Sequence, residues 1–274
     1  MSATDNAAET AGRRGAGPAT APAVSPADIL DILGAALRDF RAAPAHDLAL
    51  GGFYAVGGWL LALLLLVLDL PFLVYPLAAG FALVAPFVAA AFYAVSRILE
   101  RGEIVTWRGI FASVRQAATS DIGWMALVTG FSLFIWMDIA ALFFFGFLGF
   151  ASAQLSLPSL LDLIFTTPKG LLFLALGHFV GAMIAFAVFS FSVTSFPMLF
   201  DRNVDFITAM ITSVRVVAAN RFFMILWCAT IAALTGVSLL SGLIGLFVIL
   251  PVLGHASWHL YRRLLPLDGP GADA

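Results

Sequence analysis

The sequence is almost without cysteine and lysine: Cys228 and Lys169 are the single examples of each in 274 residues. One cysteine excludes an intrachain disulfide, a Cys-x-x-Cys motif and a Cys/His zinc cluster. Its place in an apolar run suits a small hydrophobe. Charge is scarce altogether, 11% of residues against about 25% in soluble domains. Too few polar side chains remain to cover the outside of a water-soluble globule of this size. The net charge of −2 gives no support for nucleic-acid binding, which wants a concentrated basic face. No His-Glu-x-x-His motif and no zinc-ligand spacing occurs, so no catalytic signature and no cofactor is implied.

What is present is apolar bulk. Hydrophobic residues make up 62% of the chain, with 26 Phe and 24 Gly, and the mean hydropathy is +1.02. Lipid is the solvent that suits such a composition, and the bilayer is the first expected partner. A helix needs roughly 20 apolar residues to cross a hydrocarbon core of about 30 Å. Six stretches qualify, at about 49–69, 72–95, 122–148, 170–193, 222–238 and 242–261. The last two share one run, in which Gly236, Ser238, Ser241 and Gly242 mark a tight turn. Met1 to Val24 lack the apolar core of a signal peptide and read as a disordered tail, and 266–274 reads as a short C-terminal tail. Residues 25–265 read as one six-span membrane domain.

Orientation follows from the basic residues. With six spans, all thirteen arginines fall on one side and Lys169 on the other. That places both termini in the cytoplasm. Between the spans, Ser25-Pro26-Ala27-Asp28 predicts a helix start with Ser as cap. Ile29, Ile32, Leu33, Ala36, Leu37 and Phe40 then share one face, as in an interfacial amphipathic helix. Two more such helices are expected at about 106–119 and 205–219, and a short periplasmic surface helix within 151–168.

An internal repeat runs through this pattern. Ala35-Ala-Leu-Arg38, Ala112-Ser-Val-Arg115 and Thr212-Ser-Val-Arg215 each close an amphipathic helix. Pro86 precedes Arg97 by the same distance as Pro251 precedes Arg262, and both prolines predict kinked spans. The fold expected is therefore an all-α membrane protein: six transmembrane helices as three hairpins, each preceded by a cytoplasmic interfacial helix.

Polar residues in costly places are the candidate site. Asp138, in the third span, and His178, at comparable depth in the fourth, form a possible intramembrane polar pair. A mid-bilayer carboxylate costs about 2.5–3.5 kcal/mol. The pair reads as a proton-responsive or substrate-contacting site, as a structural hydrogen bond, or as two residues that do not meet. A second group gathers at the cytoplasmic ends: Asp201, Arg202, His255, Trp258, His259 and Arg262. His255 and His259 share a helical face. They read as part of the interfacial aromatic belt, as contacts to the interfacial helices, or as a weak metal pair completed by Asp201 or Asp205.

Three segments carry a family resemblance: Tyr75 to Pro86, Ser195-Phe-Pro-Met-Leu-Phe-Asp-Arg202, and Pro251-Val-Leu-Gly-His-Ala-Ser-Trp-His-Leu-Tyr-Arg262. With Trp136-Met-Asp138 they resemble an uncharacterised family of proteobacterial integral membrane proteins, catalogued as a domain of unknown function. Some of its members are labelled cytochrome c oxidase subunits. The resemblance covers about Ile29 to Arg263 and implies a bacterial inner membrane and a single domain. With four histidines in the chain, the oxidase label would imply association with a respiratory complex rather than catalysis. Three functions follow: an accessory, assembly or scaffold protein of a membrane complex; a small permease or channel using Asp138 and His178; or an intramembrane metal-dependent enzyme.

Overall fold

The computed structural model describes residues 24–67, 88–118 and 120–266. Among them every regular element is helical. In chain order these are α1 (Ala27–Ala42), α2 (Pro44–Val67), α3 (88–100), α4 (Trp107–Ala117) and α5 (Ser120–Leu148). A 3-10 turn (Phe150–Gln154) leads to α6 (Leu157–Thr166), α7 (Pro168–Ser192), α8 (Ser195–Asp201), α9 (Phe206–Ala219), α10 (Arg221–Leu240) and α11 (Leu246–Leu264). Among the described residues four stretches are long and apolar enough to cross a membrane: Pro44–Leu64, Asp121–Leu148, Pro168–Asp201 and Arg221–Leu240.

The order repeats. A short amphipathic helix runs directly into a long apolar one at α1–α2, α4–α5 and α9–α10. Local chemistry makes the junctions. Pro44 has no N–H to continue the α1 ladder and suits the first turn of a new helix. Thr106 caps α4 by accepting from the Gly109 N–H, and Asp205 caps α9 by accepting from the Thr208 N–H. The start of α1 departs from expectation. Pro26 is the cap residue and no side chain caps the helix. Instead the Asp28 carboxylate reaches back to accept from the Ser25 backbone N–H at 2.6 Å. An ionised acceptor serves an orphan N–H better than a serine hydroxyl does.

The turn between α10 and α11 also lies later than Gly236 and Ser238, which remain helical; it spans 241–245. Gly242 and Leu243 take positive φ, +65° and +71°. Glycine accepts that conformation freely and leucine does not. The indole of Trp59 on α2 donates to the Gly242 carbonyl at 2.6 Å. Pro86 with its expected kink, most of the stretch 72–95, the N-terminal tail to residue 23 and the tail from 267 lie outside the described residues.

Packing is concentrated at one end. One buried cluster joins Tyr93, Val95 and Ile98 of α3 to Leu199 and Phe200 of α8 and to Trp258 and Tyr261 of α11. A second joins Ile32 and Ala36 of α1 to Val216, Met224, Trp227 and Leu260. Both sit where the arginines are. By contrast, nothing is buried within the apolar windows of Asp121–Leu148 and Pro168–Asp201. In water such surfaces would drive collapse; in lipid, tails cover them and the helix satisfies its own backbone. Close packing along α11 uses glycine. A Cβ on Gly254 would lie 2.6 Å from the Phe92 ring, and one on Gly51 2.9 Å from the Leu246 carbonyl.

Candidate functional site

The inner ends of α1, α2, α3 and α11 meet in a continuous polar seam. Its outer member is His259, whose Nε2 lies 2.8 Å from Asp39 Oδ2. The same carboxylate oxygen accepts from the Ser96 hydroxyl at 2.7 Å. Ser96 Oγ lies 2.8 Å from Nδ1 of His255. Nε2 of His255 then faces Asp47 Oδ2 at 3.1 Å. The His255 and Asp47 side chains are both completely buried, whereas His259 is 28% exposed. The last contact is within ion-pair reach but off the line of a hydrogen bond, and neither Asp47 oxygen has a hydrogen-bond partner among the described residues.

Periodicity explains the convergence. His255 and His259 are one turn apart on α11 and share a face. Asp39 closes α1 and Asp47 opens α2, either side of the Pro44 break. Asp39 lies outside the membrane-spanning segments, and its carboxyl is held below the ordinary carboxylate value. Burial is the largest influence and acts upward. Hydrogen bonds from His259 and Ser96, with the charges of His259 and His255, together outweigh it.

A second knot lies beside the seam. Arg262 binds Asp201 at 2.8 Å and Glu100 at 3.2 Å. Its guanidinium lies 4.5 Å over the Trp258 ring. Asp201 also accepts from the Tyr261 hydroxyl at 2.9 Å. Arg202 donates to the Leu265 and Pro266 carbonyls and lies over Tyr261. Arg97 of α3 lies over Phe200 of α8. Thus the ends of α3, α8 and α11 are tied by arginine on aromatic faces, and Arg263 clips α11 to Asp28 of α1.

Of the residues singled out from sequence, Asp201, Trp258 and Arg262 come together, and Arg202 joins them through Tyr261. His255 and His259 share the seam but turn to different carboxylates. Asp205 is engaged as the cap of α9, and Asp201 with Arg262, so neither completes a metal pair with the two histidines. Among the described residues, no group of three or more His, Cys, Asp or Glu could hold a metal ion. Asp39, Asp47 and Ser96 were not singled out. The signal available for Asp47 was a carboxylate three residues past a helix-breaking proline, at the mouth of an apolar run.

Asp138 and His178 are not joined. Trp136, Ile139, Ala140 and Phe143 of α5 line a cleft of about 520 Å³ against α7. At about 100° per residue, Asp138 points roughly 150° away from that face. It is exposed on the outer surface of α5. His178 lies at the cleft and donates from Nδ1 to its own Leu174 carbonyl at 2.7 Å. The physical reason is the α5–α7 packing itself, in which Trp136 fills the space over Gly181 and turns Asp138 outward.

Residues 74–201 match the model of a family described as a predicted integral membrane protein, DUF2189. Over that segment, a little under half of the chain, the sequence is similar to this family. The DUF2189 segment takes in α3 to α8 and therefore Ser96, Arg97, Glu100, Asp138, His178 and Asp201, while Asp39, Asp47, His255 and His259 lie outside it. No curated protein and no solved structure matches the chain. The chain is a multi-pass integral membrane protein.

Proposed function

We propose that this chain is an accessory or scaffold subunit of a membrane-protein complex. It would be a six-span domain over residues 25–265, three hairpins each led by an interfacial helix. Its arginine face and both termini would lie in the cytoplasm of a bacterial inner membrane. One observation carries the reading. Asp138 is a carboxylate about 15 Å from the end of α5 by helical rise, exposed, and without a partner among the described residues. Lipid is a poor neighbour for it, at about 2.5–3.5 kcal/mol, so a polar group on a helix of another subunit is the fitting cover. The bare apolar surfaces of α5 and α7 around it support the same reading. A permease built on Asp138 and His178 would need both to line one path, and they face different sides.

The test is purification in mild detergent through a C-terminal tag, with co-purifying proteins identified by mass spectrometry, for the native chain and Asp138→Leu. The expected result is a stoichiometric membrane-protein partner that is lost from Asp138→Leu, while the variant remains folded and monodisperse. A native chain that emerges alone, or only with copies of itself, would overturn the reading.

A further inference from the structure

Helix α4 ties together the mouths of two membrane-spanning helices. At its start, the Trp107 ring lies 4.8 Å from the ring of His46, which stands in the first turn of α2. At its end, Ala117 is followed within three residues by Ser120, where α5 begins. Both α2 and α5 enter long apolar stretches there. The 11 residues of α4 extend about 16 Å. The helix therefore lies at the depth where lipid headgroups meet their acyl chains.

Only part of α4 is covered by the protein. Ile110 and Ala117 are buried. Trp107, Arg108, Phe111 and Arg115 recur at three- and four-residue spacing, within about 100° of arc, and all four are exposed. Phe111 is 63% exposed, and Ile104, in the turn before the helix, 88%. The Trp107 and Phe111 rings stack at 6.0 Å, so this face is an apolar shelf set among arginines.

Those arginines lack counter-charges. Arg262 and Arg263 take Glu100, Asp201, Asp28 and Asp31. Asp205 caps α9, and Asp121 accepts from the Phe206 N–H. Glu103 is exposed ahead of α4 and pairs with neither Arg108 nor Arg115. Among the described residues, these two arginines form no ion pair. A guanidinium matches phosphate oxygens with two parallel N–H donors, and aromatic rings settle at the headgroup boundary. A phosphodiester carrying acyl chains satisfies both. A choline lipid brings its own cation to the phosphate, whereas an anionic lipid leaves its charge for the protein.

We propose that the outer face of α4 is a docking surface for anionic phospholipid. Arg108 and Arg115, two turns apart, each hold a headgroup phosphate, and the acyl chains leave along Ile104, Trp107 and Phe111. The inference goes beyond the scaffold reading, because it needs a membrane around α4 and not a partner over Asp138.

Native mass spectrometry of the purified full chain in non-ionic detergent, titrated with phosphatidylglycerol or phosphatidylcholine, tests it. A basic residue at an anionic headgroup contributes about fivefold in binding. The native chain should hold its first two phosphatidylglycerol molecules about fivefold more tightly than phosphatidylcholine. Arg108→Gln should keep one such molecule, and the double variant Arg108→Gln, Arg115→Gln should keep none. The charge-matched pair Arg215→Gln, Arg221→Gln, which removes two exposed arginines elsewhere on the same face, should keep both.

Equal affinity of the native chain for the two lipids would overturn the proposal. So would an equal loss in the charge-matched pair, which would reduce the effect to the general field of the face. Displacement of the lipid by excess inorganic phosphate would make the site one for the free ion and overturn it also. Should the α4 variants fail to fold, the native chain decides. A photoactivatable phosphatidylglycerol analogue in phosphatidylcholine vesicles should label residues 104–115. Labelling confined to other helices would leave that face to a different occupant and overturn the assignment.

Discussion

The imidazole of His259 stands 2.8 Å from the Asp39 carboxylate and so joins two helices 220 residues apart in sequence. Asp39 carries two donors on one oxygen, His259 and Ser96, and its side chain is only 15% exposed. Asp39→Ala strips both. The expected loss is about 2 kcal/mol, because charge-assisted hydrogen bonds are removed and a donor is left in a half-buried site. Unfolding in mixed micelles at pH 7 measures it. A loss no larger than that from an exposed alanine substitution on α1 would mean the contact is incidental.

The same carboxylate sets a low-pH signature. Its folded value lies below its ordinary one, so the native state binds fewer protons than the unfolded state wherever the two differ. Stability from Asp39 is therefore fully present above about pH 4 and is lost as pH falls below that toward the folded value. The difference in stability between native chain and Asp39→Asn should be constant from pH 7 to 5 and shrink below 4. A difference that grew on acidification would reverse the sign and the assignment.

Arg262 tests the second knot. It bridges Asp201 and Glu100 and covers the Trp258 ring. Lysine keeps the charge but neither the fork nor the flat stacking face. Arg262→Lys should cost about 1–2 kcal/mol, the scale of a desolvated cation–π contact. Arg262→Ala should cost about 3 kcal/mol or more, because Asp201 would remain buried with its charge uncompensated. Thermal unfolding in detergent would rank the three; equal stability of Lys and Arg forms would reduce the interaction to simple charge.

Helical periodicity made α1, α4 and α9 legible, since their apolar residues recur at one face and their caps, Thr106 and Asp205, precede them. The apolar runs of α2, α5, α7 and α10 were legible by length alone. The seam was not, because its members lie on four helices and only tertiary packing brings them together. The histidines form an i, i+4 pair that sequence shows, but Asp39 is one of several polar residues off the apolar face of α1, and Asp47 stands in the first turn of α2, where an acid is ordinary. Which of the three readings of Asp138 and His178 holds was open for another reason: equal depth on consecutive spans says nothing of rotation about the helix axis. Trp136 over Gly181 sets that rotation, and the bulk of a neighbouring side chain decides it rather than the polarity of Asp138.

Gly254 offers the sharpest steric prediction. A methyl group there would meet the Phe92 ring and its Cβ at 2.6–2.7 Å. Phe92 is fully buried and lies edge-on to His255, with ring centroids 5.7 Å apart. It cannot yield without moving α3 off α11. Gly254→Ala should therefore destabilise by about 1–3 kcal/mol, the usual scale of overpacking, although alanine is the better helix former. Gly236, on α10, has open space where its Cβ would stand. Gly236→Ala should be neutral or stabilising by up to about 1 kcal/mol. If the clash is the cause, Phe92→Ala will remove the ring's share of it, the Cβ contact remaining, and the double variant Gly254→Ala, Phe92→Ala will lose less than the sum of the single losses. Additive losses would show that Gly254 serves something other than the approach of α11 to α3.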